Sequence, residues 1–334
     1  MTKVDIISGF LGAGKTTFIK KLIDQVFTGE KLVLIENEFG EIGIDGGFLK
    51  DAGIEITEMN SGCICCTLVG DFSKALQKVL AEYQPDRVII EPSGVGKLSD
   101  IVRAIEDVKK DAEIEIDGRI TVVDGKKAKL YLKNFGEFFE DQVKHASTIV
   151  VSRTQTMTDE KVEECIHMLR DENADAAIIS IPWEQLSKDA IWHALEHGAE
   201  IEGLLEEEHD HHHDHEECCE HDHHHHDHEE CCEHDHHHHH HHADEVFTSW
   251  GKETAHKYTE EELDFLVKAL SETDSYGTIL RSKGIVPMTD GTWKQFDLVP
   301  EEYEVRDGQA DYTGRVCVIG TDLKEDELLK LFHI

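Results

Sequence analysis

The 334-residue sequence is short of positive charge: 33 Lys and Arg face 71 Asp and Glu, a formal net charge of −38. That deficit excludes a nucleic-acid backbone as partner, because neutralising phosphates takes clustered Lys and Arg. Cations are the expected guests. The sequence also has no run of about eighteen apolar residues able to span a bilayer, and no charged-then-apolar leader. The expectation is a soluble, cytoplasmic protein with no membrane partner. At 39% hydrophobic residues, the chain holds enough apolar material for a large α/β domain and a smaller second one. In a reducing compartment cysteines are thiols rather than disulfides. Of the nine, seven cluster as Cys63/Cys65/Cys66, Cys218/Cys219 and Cys231/Cys232, which reads as thiolate metal ligands. Cys165 and Cys317 lie in apolar patterns and are expected in cores.

Against that background one motif stands out. Gly9-Phe10-Leu11-Gly12-Ala13-Gly14-Lys15-Thr16 fits the phosphate-loop template G-x-x-x-x-G-K-[ST] at every defined position. It follows the strand-like Lys3–Ile7 and runs into an apolar-periodic helix beginning at Thr17, the order that the template requires. Gly9, Gly12, Ala13 and Gly14 would turn backbone N–H groups toward phosphate at a helix N-terminus, with Thr17 in the first turn. Lys15 would reach the β- and γ-phosphates and act in catalysis, and the Thr16 hydroxyl would hold Mg²⁺.

Strand-like and helix-like segments alternate to about Gly198: Leu32–Glu36, Arg87–Glu91, Ile120–Asp124, Thr148–Val151 and Ala176–Ile181 read as strands. The expected fold is α/β, a P-loop NTPase with a mainly parallel sheet, helices on both faces and its loops at the carboxyl ends of the strands. Residues 1–200 would be the nucleotide-binding domain, 201–244 a linker, and 245–334 a small α+β domain. In the linker the composition turns to His, Asp, Glu and Cys without apolar periodicity, which predicts disorder until something binds. Its repeat, His221–Glu233, follows a shorter copy, His209–Glu220, and precedes a partial copy from His234. Nineteen of the 25 histidines fall between His209 and His242. His209, His211, His215, Cys218, Cys219, His221, His228, Cys231, Cys232 and His234 are candidate ligands of a secondary metal tract. In the last domain no catalytic constellation is recognisable, and Trp293 and Phe296 are expected in its core.

Three further constellations carry chemistry. Glu36, Glu38, Glu41 and Asp45 follow the second strand, where a phosphate-loop protein senses the γ-phosphate; they can serve Mg²⁺, a water or a second metal. Gly62-Cys63-Ile64-Cys65-Cys66 puts three soft ligands within four residues, and Glu36, Glu41 or a water could complete a tetrahedral site. Zn²⁺ suits it, with Cu⁺, Co²⁺ and Ni²⁺ also compatible with the ligand type. Val88–Gly94 is an apolar strand ending in Glu91, a catalytic and Mg²⁺-directed carboxylate, and in Gly94, whose N–H could reach the γ-phosphate.

Together Gly9–Thr17, Glu36–Asp45, Gly62–Cys66, Glu91–Gly94, the histidine-rich linker and Arg281-Ser282-Lys283-Gly284…Trp293 resemble the CobW-type (cobalamin-synthesis-protein-like) GTPases, relatives of the urease- and hydrogenase-maturation GTPases. The resemblance covers nearly the whole chain. It implies a GTP-hydrolysing metallochaperone or metal insertase in which nucleotide and metal are coupled, the metal most readily zinc and the recipient a client metalloprotein. A second copy of the chain as partner stays open. Where the family places N/T-K-x-D, whose Asp pairs with guanine, this chain has Ser152-Arg153-Thr154-Gln155. Gln155 can accept one of those hydrogen bonds and Arg153 can lie over the base, so ATP stays open beside GTP. Two alternative functions share these residues: metal storage or buffering with a regulatory nucleotide domain, and cobalt-directed maturation for cobalamin or nitrile hydratase.

Overall fold

Short apolar runs buried on both faces are the mark of parallel strands, and they set this architecture. The computed structural model describes residues 1–37, 55–59, 69–195, 246–309 and 313–334. The chain begins β1 (Thr2–Ser8), α1 (Lys15–Lys21), β2 (Leu32–Asn37), β3 (Glu55–Met59), α2 (Val69–Tyr83) and β4 (Arg87–Glu91). It continues α3 (Leu98–Lys109), β5 (Ile114–Asp124), α4 (Ala128–Lys144), β6 (Thr148–Ser152), α5 (Asp159–Glu172) and β7 (Ala177–Ile179).

These seven strands form one sheet in the order β3-β2-β4-β1-β5-β6-β7, every neighbouring pair parallel. Alternate residues of a strand point to opposite faces. Val88 and Ile90 accordingly join one core with Phe72, Leu98, Phe139 and Leu169 of α2–α5, while Ile89 joins the other with Phe18 and Ile19 of α1. Each such fully buried side chain contributes roughly 1.5–3 kcal/mol. The mainly parallel sheet with helices on both faces is therefore present.

The second sheet is antiparallel. It comprises β8 (Thr248–Thr254), β9 (Thr278–Pro287), β10 (Trp293–Val299), β11 (Glu302–Asp307) and β12 (Gly314–Thr321), ordered β11-β10-β9-β12-β8. Helix α6 (Glu260–Glu272) starts with a capping box in which Thr259 and Glu262 satisfy each other's backbone N–H. With α7 (Glu325–Leu331) it covers one sheet face through Leu266, Leu328, Val316 and Val318. The opposite face carries Leu280, Cys317 and Ile319 into the first core. Phe247 completes that junction, 4.9 Å from Phe138 between ring centroids.

Three differences from the sequence expectation are physical. Strand β5 begins at Ile114 rather than Ile120, because the charged Ile114–Asp117 stretch still pairs with Thr2–Val4. Strand β11 escaped the reading because it is a largely exposed edge, rich in charge. Trp293 is half-buried, whereas Phe296, Cys165 and Cys317 are buried. Among the described residues no helix is long and apolar enough to cross a membrane.

Candidate nucleotide and metal site

The phosphate loop leaves β1 at Ser8 and closes into α1 at Lys15. Its glycines are required by geometry. Gly9 has φ 141°, and a Cβ there would lie 2.2 Å from the Val122 carbonyl oxygen of β5. Gly12 has φ 69°, and a Cβ would fall 2.4 Å from Val299 Cγ1 of β10. Gly14 is the left-handed residue that starts α1. The apolar Phe10 is 1% exposed, its ring 4.5 Å from Tyr131, 5.5 Å from Phe135 and 6.2 Å from Phe247. The loop is thus anchored in an aromatic cluster where the two sheets meet.

Lys15 is buried, its Nζ donating to the Gly9 carbonyl at 3.0 Å. The Thr16 hydroxyl donates to Glu91, 3.2 Å from Oε1 and 3.4 Å from Oε2. This brings together two of the groups read as Mg²⁺-directed, from the start of α1 and the end of β4. Both offer hard oxygen donors, the ligand type that Mg²⁺ takes. Thr17 is exposed beside them. Gly94 backs onto the loop so closely that a Cβ there would sit 2.9 Å from the Leu11 nitrogen, and its carbonyl accepts from Gln142 Nε2 at 3.1 Å.

Glu36 is buried at the end of β2, and register sets it opposite both Glu58 of β3 and Glu91 of β4. Three acidic positions therefore share one row at the carboxyl edge. Strand β3 ends at Met59 on that edge, four residues before Cys63. Cys63, Cys65, Cys66, Glu38, Glu41, Asp45 and the histidine tract from His209 to His242 lie outside the described residues.

Ser152, Arg153 and Gln155 behave differently from one another. The buried Ser152 hydroxyl donates to the Ala13 carbonyl at 2.7 Å, bracing the phosphate loop from β6. Arg153, left-handed at φ 64°, is drawn inward: Nε lies 2.9 Å from Asp124 Oδ2, an Nη donates to the Gly12 carbonyl at 3.1 Å, and another pairs with Glu302. Its guanidinium thus joins the loop to β11, and Arg153 also lines the cavity over the loop. Gln155 is exposed in a single 3₁₀ turn. Burial pushes the Asp124 carboxyl above its ordinary range, with Arg153 and Lys127 opposing. Burial raises Glu302 too, but its hydrogen bond to Arg153 and the positive charges of Arg153, Lys127 and Lys126 together outweigh that and hold it low.

A cavity of about 300 Å³ opens over Gly14, Lys15, Thr16 and Glu91. Its far wall is the C-terminal sheet: Arg281, Asp297, Glu302 and Arg306 line it, with Arg281 Nη 2.9 Å from Asp297 Oδ2. The sequence had shown no constellation in this domain, and only the packing of β9–β11 over the loop reveals one. Trp183 was also missed. Its indole donates to the Val151 carbonyl at 3.2 Å, and its ring lies against Gly14. A larger cavity, about 1010 Å³, opens between α4, α5 and Pro300–Glu302, away from Lys15 and Thr16.

Comparison with known proteins agrees with this geometry. Residues 3–180 match the family described as CobW/HypB/UreG, nucleotide-binding domain, and residues 247–333 match the cobalamin synthesis protein cobW C-terminal domain. The chain is 36% identical over 179 residues to the zinc chaperone CobW of Sinorhizobium sp, covering 45% of this chain and 50% of that one. It is 31% identical over 179 residues to the zinc chaperone YeiR of Escherichia coli (strain K12), covering 54% and 55%. To the zinc-regulated GTPase metalloprotein activator 1 of Schizosaccharomyces pombe it is 25% identical over 321 residues, covering 90% and 76%. The match spans about half the length of the first two relatives.

Proposed function

The chain belongs to the CobW/HypB/UreG family of nucleotide-binding proteins, and on that premise we propose that it is a GTP-hydrolysing metallochaperone delivering a transition metal, zinc foremost, to a client metalloprotein. The observation that carries this reading is the Thr16–Glu91 contact beside a buried Lys15, with only β2 between Glu91 and the edge strand β3 that leads into Gly62–Cys66. The names of the relatives, two zinc chaperones and a zinc-regulated GTPase metalloprotein activator, support zinc as the cargo.

Within this reading Lys15 binds the β- and γ-phosphates and offsets their charge. Thr16 and Glu91, with Asp45, hold Mg²⁺. The ion supplies charge neutralisation at the phosphates when bound. Backbone N–H groups of Gly12–Thr17 orient the phosphates, and Gly94 lies close enough to the loop to sense them. Gln155 and the Ser152–Arg153 turn flank the base site. Cys63, Cys65 and Cys66, with Glu36 or Glu41, hold the cargo. Segments on either side of the cysteines respond to the γ-phosphate, so hydrolysis alters the cargo site and resets the carrier. The chaperone acts in the cytoplasm, where thiols stay reduced.

The test is the Zn²⁺ affinity of the chain lacking residues 206–244, by chelator competition without nucleotide, with GDP and with a non-hydrolysable GTP analogue, repeated in Cys65→Ser. One tight site that depends on the γ-phosphate and vanishes in the variant supports coupling. Affinity indifferent to nucleotide would sink it and favour storage.

A further inference from the structure

At the end of the C-terminal domain remote from the phosphate loop, two histidines outside the repeat tract meet a carboxylate. His256 follows β8, Glu262 lies in the first turn of α6, and His333 follows α7. One ligand atom from each can be taken so that all lie within 4.8 Å of one another. The two imidazoles stack, centroids 4.5 Å apart at 29°. His256 Nε2 is 3.6 Å from Glu262 Oε2, too long for a hydrogen bond, and that nitrogen is buried with no hydrogen-bond partner.

The surroundings fix this juxtaposition. The fully buried Tyr258 donates its hydroxyl to the Phe332 carbonyl at 2.7 Å, which holds the end of the chain beside β8. The Tyr258 ring meets His256 edge-on at 4.7 Å. His333 takes a left-handed φ of 55°, and Ile334 N bonds the Leu329 carbonyl at 3.0 Å, so the last turn is closed rather than frayed. Glu262 Oε2 is oriented by the Thr259 N–H at 2.8 Å.

We propose that His256, Glu262 and His333 form a transition-metal site of the two-imidazole, one-carboxylate type, separate from the cysteine motif and from the tract. Ligand atoms around a tetrahedral ion at ordinary bond lengths stand about 3.3 Å apart. The His256–Glu262 separation is already near that value, and a modest rotation of the exposed His333 completes the set. Nitrogen and carboxylate donors suit Zn²⁺, Co²⁺ or Ni²⁺ and discriminate against Mg²⁺. Three protein ligands leave a fourth position for water or an incoming donor, the arrangement of an exchanging site rather than a closed structural one. The site stands apart from the nucleotide cavity, so its occupancy is independent of the proposed hydrolysis.

Residue-resolved footprinting of the full-length chain, without nucleotide, tests it. Imidazoles are acylated with diethyl pyrocarbonate along a Zn²⁺ titration and read by mass spectrometry after trypsin, which isolates His256 in Glu253–Lys257 and His333 in Leu331–Ile334. The expected result is protection of both along one curve, with exposed His167 unchanged and Mg²⁺ without effect. Glu262→Gln should move that curve tenfold or more to higher Zn²⁺, and His333→Ala should abolish protection of His256. Protection at different Zn²⁺ concentrations, or protection of His256 that survives both variants, overturns the proposal. So does no protection with Zn²⁺ in excess.

Discussion

Arg153 and Asp124 form an ion pair, Nε to Oδ2 at 2.9 Å, with the carboxylate 1% exposed. The same guanidinium holds the Gly12 carbonyl and Glu302. One side chain therefore ties the nucleotide loop, the end of β5 and the edge strand β11. Removing it strands a buried carboxylate, which is costlier than the pair is worth. Arg153→Ala is expected to lower stability by about 3 kcal/mol in urea denaturation. Adding Asp124→Asn should restore part of that loss, because the stranded charge goes with it.

Phe10→Ala should cost about 3–4 kcal/mol, since it opens a cavity among Tyr131, Phe135 and Phe247. Because the ring anchors the loop itself, nucleotide affinity should fall in step, measured with a fluorescent GDP analogue. Phe10→Leu should retain most of both properties. Equal affinity in the alanine variant would mean that the loop is held by its backbone alone.

Glu91→Gln keeps the shape of the Thr16 partner and removes its charge. Hydrolysis should drop by about 10²-fold, and the Mg²⁺ concentration for half-maximal rate should rise about tenfold. GDP binding in chelator should stay as in the parent chain.

Lys15→Ala should abolish measurable hydrolysis by phosphate release while leaving the fold intact by circular dichroism. A variant that hydrolyses as fast as the parent would overturn the assignment of Gly9–Thr17 as the active loop.

A pH effect is expected at the end of α4, where His145 Nδ1 lies 3.3 Å from Asp141 Oδ2. The hydrogen bond to Asp141 holds the imidazole above its ordinary value. Burial pushes Asp141 up, but bonds from His145 and Ser99 outweigh it and hold the carboxyl low. The raised histidine stabilises the fold below its unfolded value and loses that contribution as pH rises through the folded one. The lowered carboxylate stabilises above its unfolded value and loses its contribution as pH falls. His145→Gln should therefore cost about 0.5 kcal/mol near pH 6, where both groups are charged. Thermal denaturation should show that difference shrinking toward pH 8.5.

The legible parts of this molecule are those where one short stretch carries its own signal. Arg87–Glu91 is a strand in sequence and structure because an apolar run buried on both faces has no other stable form. The loop from Gly9 to Thr16 is legible because phosphate binding dictates residue types at fixed offsets. What stayed hidden depends on packing between distant segments. The aim of Arg153 follows from Asp124 and Glu302, the latter on an edge strand whose charged alternation resembles a solvated loop. Arg281 and Asp297 face Lys15 only because β9 and β10 lie over the first sheet. His256 and His333 meet through the Tyr258–Phe332 bond, which no local pattern announces.

Val299 lies so close to Gly12 that even a methyl group has no room between them. Loop and second sheet are therefore geared at that point, and a displacement of one transmits to the other without slack. The consequence is steric coupling: any side chain at position 12 larger than hydrogen has to push the loop and β10 apart together, so room at that one point is shared by both sheets.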